Sequence, residues 1–271
     1  MRSVMAFVWE KIMFVDHNFE DIGAVVADKR TDKWLLVYSP VQMGTIVTMY
    51  LVMVWAGPRL MRHREPVDLR KFLILYNMAM VGLSVYMFHE FLTTSWLSNY
   101  SLLCQPVDFS DRPLPMRMAQ VCWWFYLSKI IELSDTLFFI LRKKNNQLTF
   151  LHVFHHTTMV LNWRFVVKYT AGGQSFFMGL LNTFVHSVMY AYYGLAAIGP
   201  HMQKYLWWKS YLTLLQLFQL VLVFIHTSHN LLIRCDFPTI SNLVMLGHTS
   251  IFIVLFINFY YRSYLDKRKQ K

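Results

Sequence analysis

Residues 152–156 read HVFHH. On a helix, positions 0, +3 and +4 lie at about 0°, 300° and 40° around the axis, so His152, His155 and His156 share one side. A lone intramembrane histidine is usually a satisfied packing residue. Three on one stripe are a functional cluster, because ionisable groups inside a bilayer are costly. Upstream, residues 129–136 read KIIELSDT. Lys129, Glu132 and Asp135 repeat every third residue, so Lys129 and Glu132 can pair and Asp135 continues their face. A neutralised pair that holds helices in register and a set with a direct part in chemistry are both open here. Downstream, NTFVHSVMYAYY at 182–193 sets Asn182, His186, Tyr190 and Tyr193 on one face, with Met189 and Tyr192 beside them. An amide one turn from an imidazole can orient the ring and fix its tautomer. TLLQLFQ at 213–219 aligns Thr213, Gln216 and Gln219. Amides of this kind join helices or hydrogen-bond a carbonyl that is gaining negative charge. His229 and His248 stand near span ends or alone and are read as having no such part.

Two chemistries can use this set. Imidazoles and carboxylates can ligate iron, as in a di-iron membrane lipid desaturase or hydroxylase. Such enzymes carry several histidine boxes, often including HxxxH, and this chain has one HxxHH and no separate HxxxH. Alternatively, a neutral imidazole can attack a thioester and expel a thiol, leaving an acyl-imidazole reactive enough for a carbon nucleophile. A second histidine then serves as acid or base, and Asn or Gln stabilises the oxyanion. A third reading is a seven-span receptor or transporter. The density of His, Gln, Asn and acids at matched depth in four adjacent spans argues against it.

The elements that must position these groups are membrane helices. The 271 residues are 56% hydrophobic and 15% charged, with mean hydropathy +0.34, against about 25% charged in soluble domains. That excludes an ordinary soluble enzyme, a disordered chain and a small disulfide scaffold. About 20 apolar residues cross a bilayer. Seven stretches qualify, near 35–57, 72–96, 118–141, 148–168, 175–198, 205–228 and 239–261, and those between 118 and 228 are amphipathic. The division is a luminal segment at 1–34, a membrane domain at 35–261 and a basic tail at 262–271. Residues 1–34 mix acids and bases without an apolar core, so no signal peptide is expected.

The net charge of +11 bears on topology and on anionic partners, phospholipid or a phosphate-bearing substrate, rather than on nucleic acid. Fifteen basic residues fall in the loops after spans 1, 3 and 5 and in the tail, eight on the opposite side, and three in or at the ends of spans. The carboxyl terminus is therefore expected in the cytosol and the amino terminus in the lumen. The tail reads KRKQK, and Lys267 and Lys269 resemble an endoplasmic-reticulum retrieval signal; a basic cluster on anionic lipid is the alternative. Cys104 and Cys235 both fall on the luminal side, where the compartment is oxidising, so a disulfide between them is predicted, with two free thiols as the alternative. Cys122, in span 3, is read as a buried packing residue. Asn99-Tyr100-Ser101 is a glycosylation sequon close to span 2.

The four boxes, in order and on consecutive spans, resemble the signature of the very-long-chain fatty-acid elongases: KxxELxDT, HxxHH, NxxxHxxMYxYY and TxxQxxQ. The resemblance covers essentially the whole chain. It implies an all-α fold, seven transmembrane helices with six in a barrel around the seventh, enclosing a narrow acyl tunnel. It implies condensation of a long acyl-CoA with malonyl-CoA to a 3-oxoacyl-CoA at the endoplasmic reticulum, releasing carbon dioxide and CoA and using no cofactor or metal. Implied partners are these two substrates, membrane lipid, the reductases and dehydratase of the elongation cycle, and a second copy of the chain. On this reading His155 is the nucleophile, His186 polarises the carbonyl or handles the enolate, and His152 and His156 complete the site. Asn182, Gln216 and Gln219 orient or stabilise. Lys129, Glu132 and Asp135 brace the box, Tyr190 and Tyr193 line the substrate path, and Arg142, Lys143, Lys144, Lys204 and Lys209 receive the CoA phosphates.

One stretch departs from the family pattern. Many relatives read TxMPWxWW after the histidine box, whereas here it is TTMVLNWR, with Val160, Leu161 and Asn162. The missing proline removes an expected kink, and Arg164 is unusual in a span. Both changes bear on chain-length preference more than on activity.

Overall fold

The computed structural model describes residues 27–266, and the described residues are helical, turn or coil, with no strand. The described residues form eight α-helices: α1 Pro40–Leu60, α2 Arg70–Leu97, α3 Pro113–Ile131, α4 Leu133–Leu141, α5 Phe150–Tyr169, α6 Ser175–Ile198, α7 Lys209–Leu232 and α8 Thr239–Tyr260. A π-helical turn, Tyr261–Leu265, extends α8. Four of these helices are long and apolar enough to cross a membrane: α1, α2, α7 and α8 with its extension. Their outward side chains, Met49, Leu75, Met78, Ile225 and Val254, are large, apolar and exposed, as lipid-facing surface requires. The protein is an all-α membrane protein.

The stretch expected as one span at 118–141 is two helices. The break falls at Glu132. The Ser128 hydroxyl donates to the Phe125 carbonyl and the Ser134 hydroxyl to Ile131, bonds that bend helices. The Asp135 amide turns back to the Glu132 carbonyl, three residues away.

Helix ends are set locally. Ser39 caps α1 through the Val41 amide, and Thr149 caps α5 through the His152 amide, satisfying donors that the first turn leaves unpaired. At the far ends of α2, α4 and α7 the chain turns through a left-handed residue, Asn99, Lys143 and Arg234 respectively. In each, the next amide bonds back five residues: Tyr100 to Ser95, Lys144 to Phe139 and Cys235 to Asn230. This is the Schellman arrangement, usually built on glycine.

The chain forms two compact units. The first holds the described residues up to Asp68 together with Val107–Gly172, and so α1, α3, α4 and α5. Here α3 packs on α5, with the buried Phe125 and Trp163 rings 4.0 Å apart between centres. The segment 28–37 closes the carboxyl end of α5. The Asp28 amide donates to the Lys168 carbonyl and the Thr31 hydroxyl to Val167, Lys168 pairs with Asp32 at 2.7 Å, and Arg164 donates to the Val37 carbonyl at 3.1 Å. The unusual arginine is thus a buried clamp on the chain before α1.

The second unit holds Leu69–Pro106 and the described residues from Gly173 on, and so α2, α6, α7 and α8. Its tightest pair is α2 against α6. A β-carbon at Gly179 would lie 2.5 Å from the Phe91 ring, so glycine is what lets the two backbones approach. Gly199, at φ +139°, ends α6 and leaves room for Arg70, which donates to the Ile198 carbonyl. Cys104 and Cys235 are joined by a disulfide with Cα atoms 5.4 Å apart. Gln174 braces that bridge, donating to the Leu103 carbonyl and to Asn230 Oδ1 at 2.9 Å.

Candidate active site

In the first unit, the KxxELxDT and HxxHH boxes come together. Lys129 and Glu132 form an ion pair at 2.7 Å, each side chain 2% exposed, and Lys129 also lies over the Phe125 ring at 4.4 Å. Such a pair persists in an apolar interior only because each charge neutralises the other. Asp135 is half-buried one turn on. On α5 the three imidazoles gather: His152 and His156 have ring centres 4.3 Å apart, and His155 and His156 5.3 Å. His156 is buried, while His152 and His155 are half-buried. Phe139, from α4, packs on His152 at 5.1 Å. Thr136, the last residue of the upstream box, bonds to His152 Nε2 at 2.8 Å and to the Tyr50 hydroxyl at 3.1 Å.

In the second unit, Asn182 and His186 are both buried on α6, with Tyr190 fully buried and Tyr193 at 43% exposure on the far flank. The His186 and Tyr190 ring centres are 5.9 Å apart. Gln216 donates to the Met189 sulfur at 3.4 Å, and Gln219 is buried. Thr213 and the Tyr264 hydroxyl are bonded at 3.3 Å. Among the described residues no group of three or more His, Cys, Asp or Glu side chains is arranged to hold a metal ion.

The family model described as "ELO: GNS1/SUR4 family" matches residues 35–271. The chain belongs to the ELO family. It is 48% identical over 246 residues to very long chain fatty acid elongase 4 of Homo sapiens, covering 91% of this chain and 78% of that one. It is 48% identical over 257 residues to elongase 7 of Rattus norvegicus, covering 93% and 89%, and 46% identical over 247 residues to elongase 1 of Homo sapiens, covering 90% and 88%.

The remaining residues tied to the ELO resemblance divide between the units. Arg142, Lys143 and Lys144 lie in the first, where Lys143 donates to the Arg62 carbonyl at 3.1 Å. Lys204 and Lys209 lie in the second, both exposed, Lys204 over the Tyr205 ring. Lys267 and Lys269 fall outside the described residues. Sequence reading overlooked two groups. Tyr50 sits in an apolar helix with no box around it, and nothing local marks it. Glu90 in α2, 9% exposed and 3.5 Å from His89, carried a signal that was there to read, an acid inside an apolar span.

Proposed function

We infer that this ELO-family chain is the condensing enzyme of fatty-acid elongation, a very-long-chain 3-oxoacyl-CoA synthase. It joins a long-chain acyl-CoA with malonyl-CoA and gives a 3-oxoacyl-CoA two carbons longer. The observation that carries this reading is the ordered set of four boxes within a chain nearly half identical to named elongases.

The mechanism we propose begins with His155. Its neutral imidazole attacks the acyl thioester carbonyl, the C–S bond breaks, and the departing CoA thiolate takes the proton the imidazole gives up. Malonyl-CoA then loses carbon dioxide, and the resulting enolate carbon attacks the acyl-imidazole. The C–N bond breaks as the leaving ring nitrogen takes up one proton, drawn from solvent through a second histidine acting as general acid, which restores the neutral ring and frees the 3-oxo product. No redox cofactor or metal enters any of these steps. The clustering of His152 and His156 beside His155 supports the assignment, since neighbouring rings can orient the nucleophile. His186, Asn182, Gln216 and Gln219 are assigned to the carbonyl and the enolate on the family resemblance, as are Tyr190 and Tyr193 to the acyl path and Arg142, Lys143, Lys144, Lys204 and Lys209 to the CoA phosphates.

The same proposal includes seven crossings, with the α3–α4 stretch, α5 and α6 joining the four apolar helices. The barrel of six helices around a seventh rests on the family resemblance alone. It also includes residence in the endoplasmic reticulum, with the amino terminus luminal and Lys267 and Lys269 cytosolic as a retrieval signal. A disulfide between two loops assigned to the lumen fits that topology. The reductases and dehydratase of the cycle and a second copy of the chain are its proposed partners.

Purified protein given malonyl-CoA and a panel of acyl-CoAs tests the reading. It should yield 3-oxo products, and acyl-CoA alone should release CoA and leave an acylated protein. Turnover without any acyl adduct sinks the His155 step. Absence of 3-oxo product from every acyl-CoA sinks the function.

A further inference from the structure

Three hydroxyl and imidazole groups in the first unit form a chain that ends at the histidine box. The Tyr50 hydroxyl and Thr136 Oγ1 are 3.1 Å apart, and Thr136 Oγ1 and His152 Nε2 are 2.8 Å apart. The three come from α1, α4 and α5. Tyr50 is 3% exposed and Thr136 0%, so water does not substitute for either partner.

The order of the protons along this chain follows from satisfiability. Thr136 has one proton and two lone pairs; if it accepted from both neighbours its own proton would be buried without an acceptor, so it donates to one and accepts from the other. If His152 Nε2 carried the ring proton and donated to Thr136, Thr136 would donate to Tyr50. The phenolic proton of Tyr50 would then be buried with no acceptor among the described residues. An orphaned buried donor is disfavoured, because it gives up its bond to water and gains none in return. In the opposite order Tyr50 donates to Thr136, Thr136 donates to Nε2, and every hydroxyl proton has an acceptor. The ring proton of His152 then resides on Nδ1; that ring is only half-buried whereas both hydroxyls are buried, so Nδ1–H is the donor least costly to leave without a partner within the relay.

We propose that Tyr50 and Thr136 are positioning residues of the condensation reaction: a one-way hydrogen-bond relay from α1 through α4 that locks His152 as the Nδ1–H tautomer and fixes its ring beside His156. The proposal rests on reading the HxxHH box as catalytic. It gives Thr136, the closing residue of KxxELxDT, a task apart from that of the ion pair earlier in the same box. The Thr149 cap on the His152 amide holds the backbone of that residue while the relay holds its ring.

Three variants and one spectroscopic reading test it. Thr136→Val keeps the shape and removes the hydroxyl. It should lower kcat about tenfold, the low end of what hydrogen bonds orienting a functional histidine supply, with KM for acyl-CoA unchanged. Thr136→Ser restores the hydroxyl and should restore kcat. ¹⁵N spectra of histidine-labelled protein, with the His152 signals assigned by difference against His152→Asn, should show the proton on Nδ1 in the wild type. Tyr50→Phe should show a mixture of the two tautomers. A wild-type ring protonated at Nε2 overturns the relay, as does Thr136→Val with unchanged kcat or Thr136→Ser that fails like Val. If Thr136→Val does not fold, the wild-type and Tyr50→Phe spectra decide the matter alone. Full turnover in His155→Ala would instead remove the catalytic reading of the box, while the spectra would still report on the relay.

Discussion

The two units solve the same problem, polar groups in an apolar interior, in opposite ways. In the second, three of four helices are apolar enough to be recognised as membrane spans, and only α6, with Asn182, Thr183, His186 and its tyrosines, is not. That unit is held by close backbone approach at Gly179, by Arg70 on the end of α6 and by a disulfide. Among the described residues of the first, only α1 is so recognised. Its other helices carry an ion pair, three imidazoles and the Arg164 clamp, and they are held in large part by polar groups paired to one another. Mean hydropathy therefore falls in the helices that carry the candidate histidines, while the TxxQxxQ box lies on α7, which stays apolar enough to span.

The sharpest way to break the comparison is His155→Ala, which should bring condensation to background while the protein still folds. An equal loss from an apolar-face change in α8 would mean that the chemistry is not concentrated in the boxes. Next in size is Lys129→Met. It strands a buried carboxylate and should cost about 3–5 kcal/mol, read as a large fall in the thermal unfolding temperature of detergent-solubilised protein. Lys129→Met with Glu132→Leu should recover much of that, because removing both charges is far milder than removing one. In the second unit, replacing both Cys104 and Cys235 by serine should cost about 2–5 kcal/mol and remove the sensitivity of wild-type unfolding to reductant. Gly179→Ala should cost about 1–3 kcal/mol by overpacking, and Phe91→Leu in the same chain should relieve it. Relief there, but none from Phe91→Leu alone, would identify the α2–α6 approach as the site of strain.

The smallest effect concerns pH. Partial burial raises the affinity of the Asp108 carboxyl for a proton, but hydrogen bonds from Ser110 and the charge of Arg112 outweigh it and hold the group below the usual carboxylate range. A carboxyl with a depressed folded pKa contributes stability that is complete above its unfolded value and lost as pH falls through the folded one. Wild-type protein should therefore lose a little more stability than Asp108→Asn on going from neutral pH to about pH 3. A parallel pair of curves would remove this contribution. Because Arg112 is largely exposed, salt should shrink the difference.

Much of this protein is set by short-range pattern. Apolar runs mark the helices, Ser39 and Thr149 mark two starts, and the i, i+3, i+4 spacing puts three imidazoles on one side of α5, all of which follow from helix geometry and local capping. The four boxes identify the ELO family because their spacing is itself a helical register. What the chain order cannot supply is the partner of a group many residues away. The bond between Tyr50 and Thr136 joins residues 86 apart, and the Arg164 clamp on Val37 spans 127. The break at Glu132 was also hidden, since serine hydroxyls bend a helix only once they turn onto its own carbonyls. Pairings of this kind are decided when helices pack. A buried polar atom takes whichever partner the packing brings within 3 Å or so, and nothing in the local sequence names that partner in advance.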